Sequence, residues 1–220
     1  MKQKKIQKMI IPPKGTFVQG GPDDPLPYYY KPLVKHLFKQ RIDSGLHLLR
    51  PSYDVILDVG YGSGILIPTL SQYGNKIIGV DRDTEPERVM LSLRQNSIDC
   101  RLFKSDIAMA PIERESIDLA VAFSVFEEVH NLEAALRGVY RLLKPGGEFL
   151  VGVPRVDPIM SLLFRLVGYT NIDDEHIRTY QTIFDCIQSQ FHMKQRGFAT
   201  YPSFFPESAG LYYTGIFIKH

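Results

Sequence analysis

The sequence predicts an α/β fold with a doubly wound, parallel sheet flanked by helices. Three observations carry that expectation. "DVILDV" is a compact apolar run with no polar alternation, as in a strand covered on both faces. It runs straight into "GYGSG", the kind of glycine turn that joins a strand to a helix. From there to Pro154, short apolar runs alternate with segments of helical period, the signature of strand-helix-strand units.

Taken in order, Lys5 to Pro27 is rich in Gly and Pro, and residues 1–27 read as a flexible arm ahead of one domain, 28–220. Leu33, Leu37, Ile42, Leu46 and Leu49 recur at near-helical spacing, which predicts a helix laid on that domain. After "DVILDV" the pattern gives a helix over Ile65 to Gln72, a strand "KIIGVD", a helix over Pro86 to Gln95, and strands "IDCRLFKSD" and "IDLAVAFSV". The helix from Leu132 to Leu143 stops at Pro145, Gly146 and Gly147, since proline cannot continue it and glycine permits the turn. "GEFLVGVP" is the next strand. Residues 155–177, with "PIMSLLFRLVGY" and "TNIDDEH", read as a helical insert beside the site. A helix over Tyr180 to Gln190 and two closing strands, "FHMKQRGFATYP" and "GLYYTGIFIKH", complete the chain.

Composition narrows the function. With 220 residues, 44% of them apolar, the chain can bury one substantial core. Its 26 basic and 24 acidic side chains leave a formal net charge of +2, so no strong field argues for nucleic acid. Cys100 and Cys186 lie far apart without a Cys/His cluster, which predicts no metal site and suits a reducing cytoplasm. No apolar run reaches the ~18 residues of a spanning helix, so stable membrane insertion is not expected. The run Met9 to Ile11 is too short for a signal-peptide core and ends at Pro12 and Pro13.

In an open parallel sheet, ligands bind beyond the carboxyl ends of the strands where the order reverses, and Gly60, Gly62 and Gly64 belong there. A dinucleotide fingerprint needs a further glycine where Ile65 stands, which weakens a pyrophosphate reading and with it a nicotinamide dehydrogenase. Asp58 would repel phosphate but accept from an ammonium group. Asp81, at the end of "IIGVD", is placed to accept from a ribose diol, with Arg82 beside it. Asp106 is placed to accept from an adenine amine while Ile107 packs on the ring. Asp81 and Asp106 also have a plain alternative as helix N-caps.

"VILDVGYGSG", "IIGVDRD", "FKSDIA", "IDLAVAFSVFEEV" and "LLKPGGEFLVGVP", over roughly Tyr53 to Pro154, resemble the successive motifs of class I S-adenosylmethionine-dependent methyltransferases. That resemblance implies a Rossmann-like seven-stranded sheet, order 3-2-1-4-5-7-6, with strand seven antiparallel. It also implies S-adenosylmethionine as methyl donor and S-adenosylhomocysteine as product. Asp58, Gly60, Gly62 and Gly64 would surround the methionine portion, Asp81 the ribose, and Asp106 and Ile107 the adenine. Phe123 and Ser124 would lie near the sulfonium. Two positions depart from the family: Tyr61 replaces a small residue in the loop, and Glu128 stands where relatives carry a histidine.

The partner expected is a small-molecule methyl acceptor. Oxygen methylation of a sugar or similar hydroxylated metabolite leads. Carbon or nitrogen methylation of a quinone-like or lipid acceptor, and a non-catalytic sensor or scaffold, stand as alternatives. An alcohol acceptor would profit from a base, for which His176, Glu128, His130 and Tyr180 are candidates, His176 first for its near-neutral pKa. Tyr28, Tyr29 and Tyr30 either cover the cofactor or cap the sheet. The oligomeric state is left open.

Overall fold

The computed structural model describes residues 8–21, 24–32, 34–155, 178–204 and 206–220. The strands are β1 (Tyr53–Val59), β2 (Gly74–Asp81), β3 (Arg101–Lys104), β4 (Ile117–Phe123), β5 (Leu143–Pro154), β6 (Lys194–Tyr201) and β7 (Tyr212–Ile218). They form one seven-stranded sheet in the order β3-β2-β1-β4-β5-β7-β6, as the resemblance implies. β1 to β5 pair in parallel, and β7 runs antiparallel to both β5 and β6. The order reverses between β1 and β4, so a crevice opens beyond the ends of these two strands.

Alternation along each central strand sends side chains to two cores. Ile56, Leu119, Val121 and Leu150 belong to one, with α1 (Val34–Leu46), α2 (Ile67–Leu70) and α3 (Pro86–Gln95). Leu57, Ala120, Phe149 and Val151 belong to the other, with α4 (Leu132–Leu142) and α5 (Tyr180–Phe191). Burial on both faces explains why β1 and β4 read as unbroken apolar runs. At the far end from the crevice, the buried Glu148 carboxylate accepts from Tyr53 Oη at 2.6 Å and pairs with Arg50 Nε at 3.1 Å and Arg196 Nε at 2.7 Å. One carboxylate thus ties β1, β5 and β6 together.

The boundaries of α3 fall where the period predicts, and α2 is shorter than expected. Around its four residues the chain closes i to i+3 bonds, from Gly64 N to Tyr61 O through Tyr73 N to Leu70 O. Pro68 within the first turn and the early start of β2 leave no room for a longer α-helix. The expected insert lies almost wholly outside the described residues.

Residues 8–21, read from the sequence as part of a flexible lead, lie on the domain. Met9 N donates to Asp43 Oδ1 at 2.6 Å, Ile10 N to Thr69 Oγ1 at 3.0 Å, and Tyr30 Oη to Pro12 O at 3.0 Å. Met9, Phe17 and Leu26 are buried. Such widely spaced anchors carry no period, so the sequence could not announce them.

Candidate functional site

Gly60, Gly62 and Gly64 all adopt the left-handed region, with φ of +72°, +49° and +76°. Side chains there would also collide: a Cβ on Gly60 would stand 2.6 Å from Val125 Cγ2, and one on Gly64 2.7 Å from Val89 Cγ1. Backbone bonds then set the turn over the sheet, Gly60 N donating to Val80 O at 2.7 Å and Gly62 N to Asp81 Oδ2 at 2.9 Å.

Between this loop and α1 lies a cavity of about 140 Å³. Asp58 and Ser63 line it from β1 and the glycine loop, and Asp24 and Tyr29 from the segment before α1. Phe38 and Arg41 face it from α1, and Phe123, Ser124 and Glu128 close the end beyond β4. Asp58 Oδ2 is buried with no hydrogen-bond partner among the described residues. Burial first, and then the charge of Asp81, push the Asp58 carboxyl up to about 8. Such a group is a standing demand for a donor, and a cation is the donor that would return it to its charged form.

Asp24 lies against the same loop, accepting from Gly20 N and Leu26 N at 2.8 Å each. Burial raises its pKa, opposed by bonds from Gly20, Leu26 and Ser63. The guanidinium of Arg41, in the same lining, sits over the rings of Phe38 and Tyr212, at 4.2 and 5.2 Å. Its Nη1 donates to Ser124 Oγ at 3.3 Å, while Nε has no partner among the described residues. A buried N–H without an acceptor costs about 1–3 kcal/mol, so Arg41 too is incompletely satisfied. Ser124 carries φ +56°, a strained value for a residue with a side chain, and its Oγ is 3.0 Å from Tyr212 Oη.

The expected site residues separate into groups. Asp58, Gly60, Tyr61, Gly62, Phe123, Ser124 and Glu128 line the cavity, and Gly64 completes the loop beside it. Tyr61 turns its ring along β2 and donates to Thr84 O at 3.0 Å. Asp81 ends β2, but its carboxylate already works: Oδ2 accepts from Gly62 N, and Oδ1 accepts from Asp83 N at 2.9 Å and Thr84 N at 2.8 Å. Arg82 is exposed and pairs with Asp83 at 3.1 Å. Asp106 caps a short 3-10 turn, Ile107–Met109, accepting from Ala108 N at 2.8 Å, and Ile107 is buried.

Of the four proposed bases, Glu128 alone is placed at the cavity among the described residues. His130 is exposed in the groove between α4 and α5, where its carbonyl accepts from Arg178 Nη2 at 2.7 Å. Tyr180 donates to Glu207 Oε1 at 2.9 Å and stacks on Tyr213 at 3.7 Å, outside the cavity lining. His130 was brought forward because it follows β4 and Tyr180 because it follows the expected insert; neither lines the cavity. His176 lies outside the described residues.

Residues 57–151 match the family described as "Methyltransferase domain". Over these residues, less than half of the chain, the protein is similar to methyltransferases. It is 28% identical over 116 residues to a ubiquinone biosynthesis O-methyltransferase of Pseudomonas fluorescens strain SBW25, covering 51% of this chain and 49% of that one. To a sterol 4-C-methyltransferase of Caenorhabditis elegans it is 29% identical over 98 residues, covering 43% of this chain and 29% of the relative. The chain thus spans about half, or less, of the length of these curated relatives. In fold it is similar to the N-methyltransferase NodS of Bradyrhizobium japonicum crystallised with S-adenosylhomocysteine, with a TM-score of 0.62 at 15% identity, covering 90% of this chain and 92% of that one.

Several residues at or beside this cavity escaped the sequence reading. Arg41 and Asp24 come from outside the motif region, in an amphipathic helix and a Gly/Pro-rich arm, where a charge reads as solvated surface. Glu127 is fully buried, and burial pushes its carboxyl up to about 8, with Glu128 raising it and Arg41 lowering it. Tyr212 opens β7, too far along the chain for any spacing rule to join it to Ser124. Among the described residues no cluster of three His, Cys, Asp or Glu side chains is placed to hold a metal, and no helix is long and apolar enough to cross a membrane.

Proposed function

We propose that the protein transfers a methyl group from S-adenosylmethionine to a small hydroxylated acceptor. The observation that carries this reading is Asp58 Oδ2, a buried carboxylate oxygen without a partner, facing the glycine loop of a methyltransferase domain. It fits an ammonium group, which would draw Asp58 back to its ionised form. The glycines leave the backbone bare for close approach by the methionine portion.

Asp81 would take a ribose hydroxyl on the lone pair its Oδ2 retains. A carboxylate has about four acceptor positions, and three are held by backbone N–H groups, so it accepts one hydroxyl rather than both unless the loop shifts. Asp106 caps through Oδ1 and would offer Oδ2 to the adenine amine, with Ile107 beneath the ring. Phe123 and Ser124 would stand at the reactive end. When bound, S-adenosylmethionine supplies a methyl already activated by its sulfonium. What remains for the chain is to align the acceptor and exclude water, and alignment alone is worth up to about 7–11 kcal/mol.

The aromatic lining of Tyr29, Phe38 and Phe123 favours a flat, apolar acceptor over the sugar that the sequence put first. The ubiquinone and sterol methyltransferase names of the relatives support the same direction. Glu128 is the base best placed for a neutral alcohol. Calorimetry with S-adenosylhomocysteine and with NAD tests the cofactor, and binding of NAD alone would end the proposal. Methyl transfer from labelled cofactor into a metabolite extract, followed by mass identification, tests the acceptor.

A further inference from the structure

Beside the cavity lies a second, smaller cleft that the cofactor reading leaves unused. It is walled by Leu37 and Phe38 of α1, Pro154 at the end of β5, Tyr201 at the end of β6, and Leu211 and Tyr212 where β7 begins. Phe38, Arg41 and Pro154 line both spaces, so the two adjoin. We propose that this cleft receives a short apolar substituent of the methyl acceptor, one or two carbons long, while the reacting oxygen stays in the cavity beside Ser124. This deepens the methyl-transfer reading and rests on it.

Strand order gives the direction. On that reading the cofactor's contacts follow one edge of the sheet: Asp106 after β3, Asp81 ending β2, Asp58 and the glycines at β1, Phe123 and Ser124 at β4. The sulfonium end is then at β4, and the next strands along the same edge are β5, β7 and β6. β7 runs antiparallel to both neighbours, so its first residue stands level with their last ones. Tyr212 pairs with Pro154 on one side and with Tyr201 on the other. An acceptor placed beyond the sulfonium along this edge lies over those three residues, and they are walls of the cleft.

The lining calls for hydrocarbon. Tyr201 Oη donates to Gln40 Oε1 at 2.8 Å, and Tyr212 Oη is 3.0 Å from Ser124 Oγ, on the cavity side. Arg41 turns its Nη1 to Ser124 Oγ as well, at 3.3 Å. The backbone at the strand ends is closed, Leu211 N donating to Tyr201 O at 2.7 Å and Arg155 N to Leu211 O at 2.9 Å. What chiefly remains to meet a ligand is two leucine side chains, a proline ring and aromatic faces, which favour buried methyl and methylene groups over a hydroxyl. Size sets the length, because at about 10 Å³ the cleft has room for roughly one methyl-sized group before it must widen. Ser124 and Glu128 line the cavity and not the cleft, which sorts the two ends of an acceptor, oxygen to the cavity and alkyl to the cleft.

Leucine-methyl NMR of the full chain, with and without S-adenosylhomocysteine, reads the cleft without turnover. Phenol, its methyl isomers, and the ethyl and butyl homologues of the tightest isomer are titrated while the methyl signals of Leu37 and Leu211 are followed. One methylphenol should bind about fourfold tighter than phenol and shift both leucines, ethyl should gain at most about as much again, and butyl nothing further. Leu37→Ala, which widens the cleft, should move the best length from ethyl towards butyl while S-adenosylhomocysteine affinity stays within about twofold. A uniform weakening of every alkylphenol in Leu37→Ala would mark a merely structural leucine and overturn the proposal. Should that variant not fold, the wild-type series decides. Equal affinity of phenol and all the methylphenols overturns the proposal, as does a gain that continues to butyl, binding that leaves Leu211 unmoved, or no binding by any member of the series. If the alkylphenols shift Leu211 on a protein that binds no S-adenosylhomocysteine, the methyl-transfer reading falls and the apolar cleft stands.

Discussion

Asp58→Asn separates the charge of this residue from its shape. In the wild type, an ammonium held by the buried carboxylate is worth up to about 3 kcal/mol, the upper range for a charged hydrogen bond. At pH 7, one unit below a carboxyl pushed up to about 8, releasing its proton first costs about 1.4 kcal/mol. The net advantage over asparagine is then about 1.6 kcal/mol, or roughly 15-fold in affinity for S-adenosylhomocysteine. At pH 8.5 the ionisation cost nearly vanishes, and the deficit should widen towards roughly 100-fold. Calorimetry of both proteins at the two pH values measures this, and repeating the pH 7 titration in buffers of different ionisation enthalpy should show close to one proton released by the wild type. Equal affinities at both pH values, with no proton released, would refute the assignment of Asp58 to an ammonium.

The same group governs stability without ligand. Its folded pKa lies above the unfolded value of 3.8, so between about pH 4 and 8 the native state holds a proton that the unfolded chain has lost. Stability should therefore fall as pH rises through that window, by up to about 1.4 kcal/mol per unit for each such group. Urea unfolding should show Asp58→Asn less sensitive, with the share due to Glu127 remaining. Gly138→Ala, ordinarily worth about 1 kcal/mol to a helix, should destabilise instead, because the added Cβ would stand 2.6 Å from Ile107 O; a raised melting temperature would contradict this. Glu148→Ala leaves Tyr53 and the partly exposed Arg50 and Arg196 without their shared carboxylate, and chemical unfolding should register a loss of about 1–3 kcal/mol. His130→Ala should bind S-adenosylhomocysteine within about twofold of wild type, since His130 faces the α4–α5 groove.

Local patterns determined much of this protein. Strands sealed on both faces have to be continuous apolar runs, so β1, β4 and β5 were legible from residues alone, and the glycine turn and the acids ending β1 and β2 followed from chain order. The strand order 3-2-1-4-5-7-6 came from resemblance, because no periodicity states which strand lies beside which. Tertiary structure decided the rest. Asp24 and Arg41 enter the cavity from an aperiodic arm and a polar helix face, and Tyr212 meets Ser124 across 88 positions of sequence because β7 folds back antiparallel beside β5. His130 and Tyr180 lie outside the cavity for the converse reason: position after a strand or an insert does not say which groove a residue will face. Charge in a sequence has no depth: whether a carboxylate or guanidinium is solvated or sealed depends on what packs over it, and only the folded chain supplies that cover.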